Sequence, residues 1–164
     1  MNRCPCGYAT DGAHSCSCQP FQVQRYLQRI SGPLLDRIDI HIEVPRLQQE
    51  ELLGRPQGEP SAVIRERVIQ ARKLQQERFC KERRKLYADG SMQAAQIRRH
   101  CRVEGAVKEL LGSAIQQLGL SARAYDRILK LSRTIADLAG SAEIEVAHVA
   151  EAIQYRTLDR RLWG

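Results

Sequence analysis

Hydrophobic residues recur at helical spacing along most of the chain and at strand spacing in one place. Between 38 and 44, Ile38, Ile40, Ile42 and Val44 alternate with Asp39, His41 and Glu43, the period of a half-buried β-strand. Just before it, Gly32-Pro33 sets a turn and a helix start ahead of Leu34. Arg37 therefore stands between a short helix-like leucine pair and the strand. Upstream, Pro20 opens a helix predicted over 21–30. Downstream, the pattern is helical throughout. Ser61 is placed to cap a long helix over 61–85 whose buried face is Ile64, Val68, Ala71 and Leu74. Asp89-Gly90-Ser91 breaks the period, and a short helix follows over 93–101. An amphipathic helix over 103–118 is closed by Gly119, and another runs from the cap Ser121 to Gly140. That helix puts Ala122, Tyr125, Ile128, Leu129, Ile135, Ala136 and Ala139 on one side. Arg123, Asp126, Arg127, Lys130, Arg133 and Asp137 fall on the other, the usual pattern of a solvated face with weak ion pairs. A last helix over 146–156 is expected to pack Val146, Val149, Ala150 and Ile153.

Residues 46–60 contain Gly54, Pro56, Gly58 and Pro60 and read as a linker, which places a domain boundary there. The 164 residues suffice for one ordinary domain, or for the end of one and a second small one. No apolar run approaches the ~18 residues of a membrane span, and the first 20 residues lack the apolar core of a signal peptide. A cytoplasmic location is the expectation. Aromatic residues make up only 5%, so the core is aliphatic and stacking platforms for single-stranded bases are few.

Charge changes the picture more than composition does. Residues 61–104 carry 12 basic and 5 acidic side chains, whereas the flanking segments are each within one charge of neutral, so the net +7 sits in the middle. Arg65, Arg67, Arg72, Lys73, Arg78, Lys81, Arg83, Arg84 and Lys85 fall on the predicted long helix, followed by Arg98, Arg99 and Arg102. A localised basic stripe suits a polyphosphate partner, each contact releasing counterions. The alternative is a solvated helix face that reads no base, because no base-reading motif accompanies it.

Four of the six cysteines lie in the first 18 residues, as Cys4-x-Cys6 and Cys16-x-Cys18 with nine residues between the pairs. Two close thiolate pairs joined by a short loop can furnish a tetrahedral S₄ site, which suits Zn²⁺, and His14 could replace one ligand. Unligated thiols at a loop tip remain the alternative, and a disulfide framework is disfavoured in a cytosolic chain. Cys80 and Cys101 stand alone on helices as packing residues. Cysteine nucleophilic catalysis lacks an orienting residue for Cys4 or Cys16 beside His14 or His41. Arg37 on its turn can neutralise charge on a transferring phosphoryl group, or simply pair with Asp36 and Asp39.

Several long runs carry a specific resemblance: MNRCPCG at 1–7, CSC at 16–18, SGPLLDRIDIHIEVP at 31–45, LSARAYDRILKLSRTIADLAG at 120–140 and EVAHVAEAIQYRTLDRRLW at 145–163. Together they resemble the carboxy-terminal third of the magnesium-chelatase-like AAA+ ATPases of the ComM/YifB competence-protein type. The resemblance implies a mainly α fold: residues 1–45 as the end of an α/β ATPase core with a cysteine-rich insertion, 46–60 as linker, and 61–164 as the helical lid or chelatase carboxy-terminal domain. It implies that Asn2 matches the sensor-1 asparagine that positions attacking water, although Arg3 stands where the family has proline. Arg37 matches the arginine finger that reaches the neighbouring subunit's nucleotide, and Arg123 the sensor-2 arginine at the start of a lid helix.

Full-length members of that family resemble hexameric helicases that drive branch migration of DNA during natural transformation, with ATP and Mg²⁺ as cofactors. This chain has no G-x-x-x-x-G-K-[ST] loop and no hydrophobic strand ending in Asp-Glu, so it is not expected to hydrolyse ATP alone. It reads as part of a larger homo-oligomeric motor. Two other readings stay open: a stand-alone zinc-stabilised DNA-binding module, and a partner protein that joins rings of the full ATPase and lends them Arg37. A strand without neighbours is not stable by itself. Amide hydrogen exchange is therefore expected to be faster over 1–60 than over 61–164 unless metal organises the first 20 residues, and uniform protection would contradict this.

Overall fold

The computed structural model describes residues 2–9, 14–35, 37–45, 47, 49–54, 58–82 and 85–163. Its contacts divide it into two compact units, Met1–Gly58 with Arg156–Gly164, and Glu59–Tyr155. The secondary structure described is entirely helical. The first unit contains α1 (Pro20–Leu27), α2 (Gly32–Leu35) and α3 (Gln49–Leu53). The second contains α4 (Ser61–Phe79), a 3₁₀ turn (Asp89–Ser91), α5 (Ala94–His100), α6 (Gly105–Leu118), α7 (Ala122–Leu138) and most of α8 (Val146–Trp163).

The strand expected over 38–44 does not form. Its residues are irregular, and Ile40, Ile42 and Val44 are 46%, 65% and 79% exposed. A strand is stabilised by a ladder with a neighbour and by burial of one face, and among the described residues neither is supplied. The alternation is a property of the sequence, while the sheet that would use it is not within the described chain.

In the second unit, α7 packs against α4, the 3₁₀ turn and α5. The core beneath it is aliphatic with one aromatic, Phe79, and includes Met92, Ile97, Leu111, Ile128 and Val149. Ile128 and Val149 are fully buried, each contributing about 1.5–3 kcal/mol relative to exposure. Helix ends follow local chemistry. The Ser121 hydroxyl accepts the Ala124 N–H at 3.1 Å. Gly119 takes the left-handed conformation (φ 51°) that ends α6. At the far end of α7, Ser141 N–H reaches the Ala136 carbonyl over Gly140 (φ 71°). Gln93 and Gln96 form a reciprocal capping pair at the start of α5.

Several helix expectations need correction. Ser61 is the first residue of α4 rather than its cap, and Pro60 precedes it in extended conformation. The inward side of α4 is Ala71, Gln75 and Phe79, while Ile64, Val68 and Leu74 are 41%, 44% and 38% exposed. The helix also ends at Phe79, because Glu82 is drawn to α5, where it accepts from Arg99 at 2.8 Å and bonds His100 at 3.0 Å. Expected solvated positions on α7 turn inward as well: Arg133 and Asp137 are each 3% exposed. His148, a residue that would default to the surface, is buried and its Nδ1 accepts the Glu145 N–H at 3.0 Å, capping α8.

The inward turn of Arg133 and Asp137 has a long-range cause. Arg78 on α4 donates to both carboxylate oxygens of Asp137 and, at 2.8 Å, to Asp89 in the 3₁₀ turn. Arg133 Nε donates to Asp137 at 3.1 Å, and its two remaining nitrogens take the Ser141 and Ala142 carbonyls at 2.7 and 2.9 Å. Gln75 and Thr134 each donate to Asp89 at 3.1 Å. Desolvation, reinforced by the neighbouring Asp137, pushes the Asp89 carboxyl up to about 6 despite Arg78. Desolvation also acts on Asp137, but the Arg78 hydrogen bond outweighs it and holds that carboxyl below its ordinary value.

Asp137→Ala removes the carboxylate that Arg78 and Arg133 share, and is expected to cost about 3–5 kcal/mol in urea unfolding. Asp89→Asn should be milder at neutral pH. Because folding raises the Asp89 value from 3.8 to about 6, its ionisation erodes stability as pH rises through that window. The wild-type minus D89N difference in unfolding free energy should thus fall between pH 4 and 6 and level off above; a difference that rises would refute the assignment.

Candidate functional site

The amino-terminal loop brings four sulfurs together. Sγ of Cys4 lies 3.3 Å from that of Cys6, Sγ of Cys16 is 3.6 Å from each of them, and all four sulfurs, Cys18 included, fall within 4.8 Å of one another. Cys4 is fully buried and the six cysteines are free thiols. The turn that points Cys4 and Cys6 at the same spot has local causes. Pro5 fits the second position of a turn closed by Gly7 N–H to the Cys4 carbonyl at 3.2 Å, and Gly7 adopts φ 86°, open to glycine. His14 does not join the cluster: its ring lies 5.0 Å from that of Tyr8. A backbone hydrogen bond at Tyr8, with a second from the Cys4 side chain, lowers the Cys6 thiol to about 6, which favours its thiolate.

Asn2 is exposed on the same loop, and a side chain on Gly7 would come within 3.2 Å of its Nδ2. Arg3 pairs with Glu43, linking this loop to the irregular 37–45 segment. Arg37 is exposed on a turn after α2, its amide bound to the Leu34 carbonyl at 3.0 Å. The next residue is held from far along the chain, since Arg156 Nη1 donates to the Ile38 carbonyl at 2.7 Å and Arg156 is 5% exposed. Neither Gly7 nor Arg156 stands out as a functional residue in the sequence. Asp36, the other expected partner of Arg37, lies outside the described residues.

Arg123 is exposed in the first turn of α7, two residues after the cap Ser121. Backbone N–H groups at such an end attract anions, so a guanidinium beside them is placed to share a phosphate. Of the basic stripe, Arg72, Lys73, Lys81 and Lys85 are exposed. Arg72 also donates to Gln75 at 3.1 Å. Arg78, by contrast, is committed to Asp89 and Asp137 with its side chain 16% exposed, so its charge is structural. Arg83 and Arg84 lie outside the described residues.

Two family descriptions match the chain: "Magnesium chelatase, subunit ChlI C-terminal" over residues 58–156 and "Magnesium chelatase, subunit ChlI" over residues 1–52. The chain belongs to the magnesium chelatase ChlI family. It is 44% identical over 163 residues to the "Competence protein ComM" of Haemophilus influenzae, covering 99% of this chain and 30% of that protein. It is 41% identical over 164 residues to the "Uncharacterized protein YifB" of Escherichia coli, covering 99% of this chain and 31% of the relative. Against the "Uncharacterized protein Rv2897c" of Mycobacterium tuberculosis it is 32% identical over 160 residues, covering 98% and 31%. The chain thus spans about 30% of the length of the curated relatives it matches.

Ser121 fixes the helix end that carries Arg123. Ser121→Ala should lower stability by about 1 kcal/mol, measured by chemical denaturation, and Ser121→Asp should restore most of it.

Proposed function

We propose that this chain is the carboxy-terminal part of a ComM-type chelatase-like ATPase that works as a DNA branch-migration helicase. Arg37 serves there as the arginine finger, Arg123 as the sensor-2 arginine and Asn2 as the sensor-1 group. ATP and Mg²⁺ act in the full-length assembly, a homo-oligomeric ring, and the chain by itself does not turn over ATP. The observation that carries this reading is the 44% identity to a competence protein along essentially the whole chain. It is supported by the exposure of Arg37 and Arg123, each at a helix end. Among the described residues no helix is long and apolar enough to cross a membrane, in keeping with a cytoplasmic setting for DNA work.

DNA contact is assigned to Arg72, Lys73, Lys81 and Lys85, with Arg83 and Arg84 of the same run. No base-reading motif accompanies these side chains, so contact is assigned to phosphates, and binding should be salt-sensitive and weakly sequence-dependent. Reversing Lys73 and Lys81 to Glu should reduce the slope of log affinity against log salt by about 0.9 per lost duplex contact.

The direct test mixes this chain with a full-length ComM-type ATPase that lacks its own finger. Restored hydrolysis, lost again with Arg37→Ala by a factor on the order of 10³, supports the assignment. Absence of any rescue, together with tight DNA binding by the chain alone, would favour a stand-alone DNA-binding module instead.

A further inference from the structure

We propose that Cys4, Cys6, Cys16 and Cys18 bind one Zn²⁺, and that this ion fixes the turn on which Asn2 is carried. The geometry argues for a single tetrahedral ion. Four sulfurs at about 2.3 Å from a common zinc lie about 3.8 Å apart. The observed separations are 3.3 and 3.6 Å, and no pair exceeds 4.8 Å. A disulfide would bring one pair to about 2.05 Å. An iron–sulfur cluster would spread the four further, because the sulfurs then bind two or four irons instead of one ion.

Packing alone does not explain the convergence. Only Cys4 is buried, whereas Cys16 is exposed and Cys6 and Cys18 are partly so, so little apolar burial rewards the grouping. Among the described residues of that loop there is no regular element to hold it. A structural zinc supplies the missing cross-link, closing a loop between the two pairs and releasing thiol protons on binding. Zinc is favoured over harder cations because every donor is sulfur.

The consequence for Asn2 follows from position. It is two residues before Cys4, and its side-chain amide lies where a Cβ on Gly7, the closing residue of the Cys4 turn, would crowd it at 3.2 Å. Ordering the turn therefore orders Asn2, which makes the cysteine set a positioning device for a group at the proposed nucleotide site. The zinc assignment stands without the ATPase reading; only the role given to Asn2 rests on it.

The test uses the whole 164-residue chain, purified reduced and without chelator. Elemental analysis should find close to one zinc per chain, retained in Cys80→Ser and lost in the Cys6→Ser/Cys18→Ser double variant. Should that double variant fail to fold, the unmutated chain decides. Titration with Co²⁺ should saturate at one equivalent with the absorption of a tetrahedral thiolate site, and zinc should displace it. No metal after reconstitution, iron in place of zinc, or disulfides under reducing conditions would overturn the site. For the second half, the Asn2 side-chain amide should give one sharp resonance with metal that broadens or moves on chelation, while Ala136 in α7 stays put. An Asn2 signal indifferent to chelation would overturn the positioning role even with zinc bound. Neither arm reads ATP hydrolysis, so failure here and failure of the motor reading are separate outcomes.

Discussion

The helical unit depends on the pairing of Arg78 with Asp137. Asp137 receives both Arg78 and Arg133, and Arg78 in turn holds Asp89, so two cations and two carboxylates share one buried cluster across α4, the 3₁₀ turn and α7. Buried ion pairs give little net stability, since desolvation offsets most of the attraction. Their effect is selectivity: a register of α4 that carried Arg78 away would take from the fully buried Asp89 the cation it is paired with. That constraint accounts for aliphatic side chains such as Ile64 and Val68 on the outside of α4 while Gln75 is 3% exposed inside.

Local signals in the sequence carried much of this fold. The cap Ser121, the stop at Gly119, the break at Asp89-Gly90-Ser91 and the short helix near 93–101 all have causes within a few residues of themselves, and such causes are visible in a linear reading. Long-range partners are not. Asp89 and Asp137 read as turn and surface residues because nothing nearby in sequence announces Arg78. The opposite failure occurs at 38–44, where a strong local alternation has no ladder partner among the described residues and stays irregular. Pattern describes what a segment can do, and neighbours determine whether it does.

At the candidate sites the division is similar. The cysteine spacing announced a shared site, and the convergence of all four sulfurs agrees with it. Arg37 and Arg123 were singled out through resemblance, and both are exposed, on the turn after α2 and in the first turn of α7, whereas the Arg156 bond that holds the Ile38 carbonyl spans 118 residues and leaves no trace in local pattern. Counting charge along α4 likewise overstated the surface, since Arg78 contributes nothing to an outward field once its guanidinium is neutralised within.

Helix α7 is 17 residues long, a rod of about 25 Å. It carries Arg123 at one end and the Arg133–Asp137 pair at the other. The far end is held by ion pairs and the near end is set by Gly119 and Ser121, so both ends of the rod are fixed by contacts of their own. A shift of the Arg123 end would have to be absorbed at the Ser121 cap or carried along the hydrogen-bonded rod to Asp137, whose bond to Arg78 joins α7 to α4.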